Sequence, residues 1–293
     1  MMLQTTTLSL KKIYSDYQNQ ADAAIIENLD LLGPKSPLRD ACEYALSSGG
    51  KRVRPAIVFM ISKALGFGAD VTYAALTTEF FHTASLVADD LPSMDDDDER
   101  RNKPATHKVF GEAAALLTSY ALISAGYMGI AKNGVVFRDM GSSQFHEADH
   151  ICSVVLENAA YNTGLHGATG GQFLDLVPPN LSLSTLKEII HKKTISLFEL
   201  SFVSGWLFGG GALEKLPLVK QAAYHFGMAF QIADDLNDQV QDQKNNRKIN
   251  MANVLGEEAA QKMFHEEHSA FLKMVDLIGL NTPEFQALAS LLV

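Results

Sequence analysis

From Gln20 to Ile278, apolar residues recur at the three-to-four-residue spacing of an amphipathic helix almost without interruption. Eight runs carry the pattern: Gln20 to Leu32, Arg54 to Leu65, Tyr73 to Ala88, Ala113 to Ala131, His146 to Tyr161, Leu186 to Leu207, Val219 to Val240 and Glu257 to Ile278. Breaker-rich stretches at 33–37, 66–70, 132–142, 177–184 and 209–217 separate them, and Ser184 stands as a start signal before one run. No alternation of the strand type survives beyond a few residues, and no compositional shift marks a linker. The expectation is one all-α domain over residues 1–293.

The formal net charge of -10 argues against nucleic acid or an anionic membrane surface as a partner. An acidic chain can still take an acidic ligand where metal ions or a local basic patch invert the sign. Cys42 and Cys152 lack CxxC spacing, so neither a disulfide framework nor a zinc site is expected. The N-terminal stretch lacks the basic start and long apolar run of a signal peptide, and a cytoplasmic location is expected. Ala113 to Ala131 carries no charge, yet Thr118, Ser119, Tyr120, Ser124, Gly126 and Gly129 suit a helix buried in protein better than a transmembrane segment.

Against that apolar background, two acidic clusters stand out. Asp234, Asp235 and Asp238 fall within a turn of one another on a helix whose other residues, Ala229, Phe230, Ile232, Ala233 and Leu236, are core-like. Each uncompensated charge there costs several kcal/mol, so a cation must stand among them. Gln231 shares the stripe. The second cluster is Asp89-Asp90-Leu-Pro-Ser-Met-Asp95, where an apolar helix runs into acid. Pro92 cannot continue the helix ladder, so the chain is expected to loop and return Asp95 beside Asp89. The next four acids, 96–99, read as a solvated loop.

Arg100 and Arg101 follow at once, and Gly49-Gly50-Lys51-Arg52-Val53-Arg54-Pro55 supplies a second basic run. It is not a P-loop, because the glycine spacing and the Lys-Ser/Thr ending are missing. Carboxylate and phosphate oxygens suit magnesium, and arginine grips phosphate in a bidentate fork. One ligand that needs both is a diphosphate.

In this order the pieces resemble the trans-isoprenyl diphosphate synthases, the family of farnesyl and geranylgeranyl diphosphate synthases. The resemblance runs from about Gly49 to Gly256. It takes in Gly49 to Pro55, Asp89 to Arg101, Gly170-Gly171-Gln172-Phe-Leu-Asp175, Lys193-Thr194 and Phe230 to Asp238. It implies the isoprenoid synthase fold, a single-domain bundle of ten or more helices around a deep central cavity, and a homodimer. It also implies two or three magnesium ions held by Asp89, Asp95 and Asp234, with Asp90, Asp235 and Asp238 as further ligands or their supports. Arg100, Lys193 and Lys248 would hold an allylic diphosphate. Lys51, Arg54, His82 and Arg101 would hold isopentenyl diphosphate. Thr194, Gln231 and the Lys193 carbonyl would steady the carbocation. His82 lies seven positions before Asp89, on the same side of the helix.

Product length follows from helix geometry, since each turn before Asp89 deepens the pocket by about 5.4 Å. Ala84 and Ser85 are small, and Phe80 or Phe81 could form a floor one turn lower, so a twenty-carbon product is expected ahead of fifteen. The stretch 239–247 is shorter than in the family, and Asn250 and Ala252 replace its usual Thr and Pro after Lys248. Two rivals remain: a terpene cyclase, which would not need Lys51, Arg54 and His82, and a non-catalytic subunit that modulates an active synthase.

Overall fold

A computed structural model describes residues 2–140, 147–244 and 250–292, with only the backbone described for 2–8 and 239–244. In chain order the helices are α1 (Met2–Glu27), α2 (Pro37–Leu46), α3 (Val53–Leu65), α4 (Thr72–Asp89), α5 (Thr106–Phe110), α6 (Glu112–Asp139), α7 (Ala148–Thr163), α8 (Ala168–Leu176), α9 (Leu183–Ile190), α10 (Ser196–Phe208), α11 (Leu216–Lys244), α12 (Met251–Leu255), α13 (Glu257–Ile278) and α14 (Pro283–Ala289). The all-α expectation holds. The sole strands among the described residues are the pairs Glu99–Arg100 (β1) and Lys103–Pro104 (β2), an antiparallel hairpin in which Glu99 faces Pro104.

Helix α10 is apolar all round and buried on nearly every residue, as a central helix must be. It packs against α3, α4, α7 and α11, while α6 lies outside α4 and α13 outside α11. Phe198 and Phe202 of α10 meet Phe226 and Phe230 of α11, Phe271 of α13 and Phe285 of α14, with ring centroids between 5.1 and 6.4 Å apart. Several are edge-on, the geometry that aromatic quadrupoles favour.

The predicted runs at Arg54, Tyr73 and Glu257 match helices to within a residue or two, but several expectations need correction. The segment 132–139, read as a connection, is the last part of α6. Gly134 is fully buried there against the Cys152 sulfur, so packing outweighs its weak helix propensity. The cap of α9 is Ser182, whose Oγ accepts from the Thr185 amide, and not Ser184. Helix α2 was missed because Pro37 reads as a breaker. In fact Pro37 occupies the first helical turn, where a missing N–H costs nothing, and Ser36 caps it.

One irregularity serves the site. The predicted run from Leu186 to Leu207 is not one uniform helix, for His191–Ile195 winds as a single π turn between α9 and α10. Single π turns inside helical segments are frequent at functional sites. Lys193 and Thr194 lie within it.

Candidate active site

A cavity of about 750 Å³ opens at one end of the bundle, where α3, α4, α8, the π turn and α11 converge. On α4 the residues Glu79, His82, Leu86 and Asp89 face it at helical spacing. The stripe expected from His82 to Asp89 is therefore present. After Asp89 the chain turns at Pro92, and the Asp95 amide donates to the Asp89 carbonyl at 2.9 Å. The expected loop closure is what the structure has.

The six aspartates are not equivalent. Asp89 is 8% exposed, and burial pushes its carboxyl up to about 6 despite the opposing pull of Lys193, whose Nζ lies 3.7 Å away. Burial also raises Asp234, while Lys51 at 3.8 Å opposes it and Asp238 adds to it. Asp95 and Asp238 are exposed beside these two. Asp90, by contrast, is buried under the Arg100 guanidinium, which spans it and Asp97. Asp235 accepts from the Gln231 amide at 2.8 Å and from the Met251 N–H at 2.7 Å. The carboxylates of Asp90 and Asp235 thus orient Arg100 and Gln231, while Asp89 and Asp234 line the cavity.

Gln231 shows how such orientation works. Its amide nitrogen is committed to Asp235, so its carbonyl is left to accept from Thr194 Oγ1 at 2.8 Å. A fixed oxygen dipole results at the wall formed by Thr194 and Gln231. Asn250 completes the support: it donates to the Asp235 carbonyl and caps α12 through the Asn253 amide. An Asn is as good a cap as a Thr, so the departure at position 250 preserves the local structure. Lys248 lies outside the described residues, as do the side chains of 239–247.

Cations line the same cavity. Burial pulls Lys193 down, yet Asp89 and Asp175 outweigh it and keep the ammonium firmly charged. Asp175 is its ion-pair partner. Gly171 makes this possible, because a Cβ there would collide with the Lys193 backbone and hold α8 off the π turn. Arg54 stacks over Phe198 at 4.4 Å, and burial lowers it to about 10. Burial and the neighbouring Arg54 and Arg101 hold His82 neutral, well below the usual imidazole range. Arg101 sits in the hairpin turn with Asn102, both at positive φ (55° and 62°). A two-residue turn of this kind normally takes Asn-Gly, so an arginine there is held against its preference.

Sequence reasoning gave no role to Gln172, Gln18 or Glu79, which also line the cavity. Both amide atoms of Gln172, and Nε of Arg54, are buried without a hydrogen-bond partner among the described residues. Buried polar groups are rarely left so. The Gly-Gly-Gln-x-x-Asp motif contained the signal, but its residues had no assigned chemistry. Of the four residues expected to set product length, Ser85 lines the cavity, while Phe80, Phe81 and Ala84 are buried in the core.

Acids and cations that together line one cavity of an all-α bundle make a site suited to a polyanionic ligand. The polyprenyl synthetase family model matches residues 35–256, and the chain belongs to that family. Farnesyl diphosphate synthase from Geobacillus stearothermophilus is 33% identical over 234 residues, covering 79% of this chain and 76% of that protein. Geranylgeranyl pyrophosphate synthase 4 from Arabidopsis thaliana is 35% identical over 222 residues, 74% of this chain and 56% of that longer protein. The crystal structure of an FPP/GFPP synthase from Zymomonas mobilis superposes with a TM-score of 0.80 at 28% identity, covering 98% of each chain. The chain is an enzyme of the prenyltransferase type.

The raised Asp89 yields a pH prediction. A carboxyl that titrates near 6 when folded and near 3.8 when unfolded binds its proton more tightly in the native state. Stability of the metal-free protein is therefore highest below pH 4 as far as this group is concerned, and falls as pH rises to 6. Asp89→Asn removes the cost, so at pH 7 the metal-free variant should be more stable by roughly 1–3 kcal/mol. Urea melts at pH 5 and pH 7 test this. The expected result is a gain at pH 7 that shrinks at pH 5.

Proposed function

We propose that the protein condenses isopentenyl diphosphate with an allylic diphosphate to give an all-trans product of fifteen to twenty carbons, with twenty favoured. The observation that carries this reading is one cavity lined by both kinds of charge. Buried Asp89 and half-buried Asp234 line it, with Asp95 and Asp238 exposed beside them. Lys51, Arg54, Arg101 and Lys193 line it as well. Two separate diphosphates need both sets of groups, and a cyclase, which takes one substrate, does not.

The donor set fits magnesium: buried Asp89 and half-buried Asp234 carry carboxyls that burial raises and that a divalent cation would draw back toward the ordinary range. Asp89, Asp95, Asp234 and Asp238 are its proposed holders, with Asp90 and Asp235 orienting Arg100 and Gln231. When bound, magnesium neutralises the charge that gathers on a departing diphosphate. The chain does the rest. Lys193 and Arg100 bind the allylic diphosphate, and Lys51, Arg54, His82 and Arg101 bind the second one. Lys248 belongs to the allylic set by family resemblance. Neutral His82 can donate a hydrogen bond without adding charge to a crowded cationic wall.

The Gln231 carbonyl and Thr194 Oγ1 place oxygen dipoles where an allylic cation would form. Preorganised dipoles stabilise such charge without reorganising during the reaction. Apolar Leu86, Leu197 and Phe230 shelter that cation from water.

The test is an assay with purified protein, magnesium, labelled isopentenyl diphosphate and each allylic starter in turn, with products separated by length. Condensation is expected, and Lys193→Ala should lower kcat by about 100-fold or more, a charge contact in the transition state. Absence of condensation with every starter would move the chain to the modulating-subunit reading.

For product length, the small side chain exposed on the cavity wall one turn above Asp89 is Ser85, so Ser85→Phe should shift the product from twenty carbons toward fifteen or ten. An unchanged product spectrum removes Ser85 from the determinants.

We also propose a homodimer. On α6, Leu117, Tyr120, Ser124, Met128, Ala131 and Val135 form an exposed stripe without a charge. It spans roughly 27 Å along the helix. Although α6 is long and apolar enough to cross a membrane, its opposite face packs on α4, so a second copy is the cover that suits it. Sedimentation should give a dimer, and Met128→Lys should give a monomer.

A further inference from the structure

The loop Gly49 to Arg52, which carries Lys51, has no regular structure of its own, and its conformation is costly. Gly49, Gly50 and Arg52 have φ of 80°, 124° and 49°, and a non-glycine residue in that region persists only where its surroundings hold it. Arg52 is held in part by Glu79 of α4 and the Leu46 carbonyl, to which its guanidinium donates, and the loop as a whole is held by one ridge of α1. Tyr14, Gln18 and Asp22 lie four residues apart and so share a face. Tyr14 Oη donates to the Lys51 carbonyl, and Gln18 Nε2 donates to the Gly50 carbonyl at 2.9 Å. Asp22 Oδ1 accepts from Arg52 Nε at 2.8 Å. Three successive loop residues are each fastened to successive turns of one helix.

The consequence reaches two substrate contacts. The Lys51 side chain is 71% exposed, with Asp234 at 3.8 Å and the Phe230 ring at 5.6 Å as its contacts, so its anchored backbone does much to place its ammonium. Arg101 depends on the same loop: its guanidinium donates to the Gly49 carbonyl and fills the space that a Cβ on Gly50 would occupy. Moving the loop would move both cations. The main allylic groups stand elsewhere, Asp89 on α4, Lys193 on the π turn and Asp234 on α11, although α4 also carries His82 and Glu79, and Lys51 approaches Asp234. Among the described residues no hydrogen bond joins the three α1 side chains to Asp89, Lys193 or Asp234.

We propose that the Tyr14–Gln18–Asp22 ridge of α1 positions the isopentenyl diphosphate site and sets affinity for that substrate far more than for the allylic one. The inference rests on the two-substrate reading above. These three are positioning residues: Tyr14 and Asp22 act through Lys51 and Arg52, and Gln18, although it also lines the cavity, acts through the Gly50 carbonyl.

The experiment uses the full chain with Tyr14→Phe, Gln18→Met and the double variant. Tyr14→Phe deletes only a hydroxyl, and Gln18→Met removes the amide donor at nearly constant size without adding charge to the cavity. A single hydrogen bond of this kind corresponds to a change of roughly threefold to tenfold. KM for isopentenyl diphosphate should rise by that factor in each single variant and further in the double. KM for the allylic diphosphate, kcat at saturation and the melting temperature should stay within twofold or a few degrees. Tyr17→Phe, on the face of α1 turned to Glu284, should leave both KM values unchanged.

Both KM values rising together, or melting falling without a split between them, would make α1 a merely structural prop and overturn the proposal. Unchanged KM values would overturn it too. If the wild type condenses nothing, the two-substrate reading fails by itself. Calorimetric binding of isopentenyl diphosphate then decides: weaker binding in the variants supports the ridge, and equal or absent binding throughout overturns it.

Discussion

Carboxylates placed inside an apolar helical bundle repel one another and lose hydration, and the arrangement of this molecule follows from how that cost is met. Asp89 and Asp234 stand on the two long helices α4 and α11, with Lys193 and Lys51 against them. Neither ion pair is tight, at 3.7 and 3.8 Å, and neither restores its acid to an ordinary proton affinity. The acids are thus only partly compensated by the protein itself. Sites that fully satisfy their own charges have little reason to bind a further cation. Much else around the cavity serves to hold this unfinished balance: the Pro92 loop that brings Asp95 back, the hairpin that presents Arg101, and the π turn that presents Lys193.

Division of labour among like residues is the second theme. Within each cluster one aspartate faces the cavity while its buried neighbour is turned away to orient a partner, Arg100 for Asp90 and Gln231 for Asp235. The two helices use adjacent acids in the same way, although Asp89 ends a helix and Asp234 lies within one. A pair of aspartates at i and i+1 points about 100° apart on a helix. One can then touch the ligand and the other the scaffold.

Much of this was legible in the sequence, and the reasons for the remainder are physical. Helical period alone located α3, α4 and α13 closely, because their buried stripes are long and unbroken. The stop before Lys132 was misread because Gly134 lowers intrinsic helix propensity, whereas its contact with Cys152 exists only in three dimensions. Asp89 and Asp234 were legible as ligand candidates from acid in apolar context. That Asp90 and Asp235 face elsewhere was not, since a motif records residue type and not direction. The hairpin around Arg101 and Asn102 is too short to show alternation, and its turn lacks the glycine that would announce it. Gln172 was visible as part of a motif, but its unpartnered amide needed coordinates.

The π turn at His191–Ile195 has one more consequence. It holds one residue more than an α-helical turn, which resets the rotational phase of the chain by about 100°. Upstream, α9 presents a one-sided apolar face, while downstream α10 is buried all round. The extra residue works as a gear between two helices that must face differently. Losing a single residue there, such as His191, would carry Lys193 and Thr194 off the cavity wall although both side chains remain. In this segment the spacing itself is the functional trait, and length is constrained as tightly as identity.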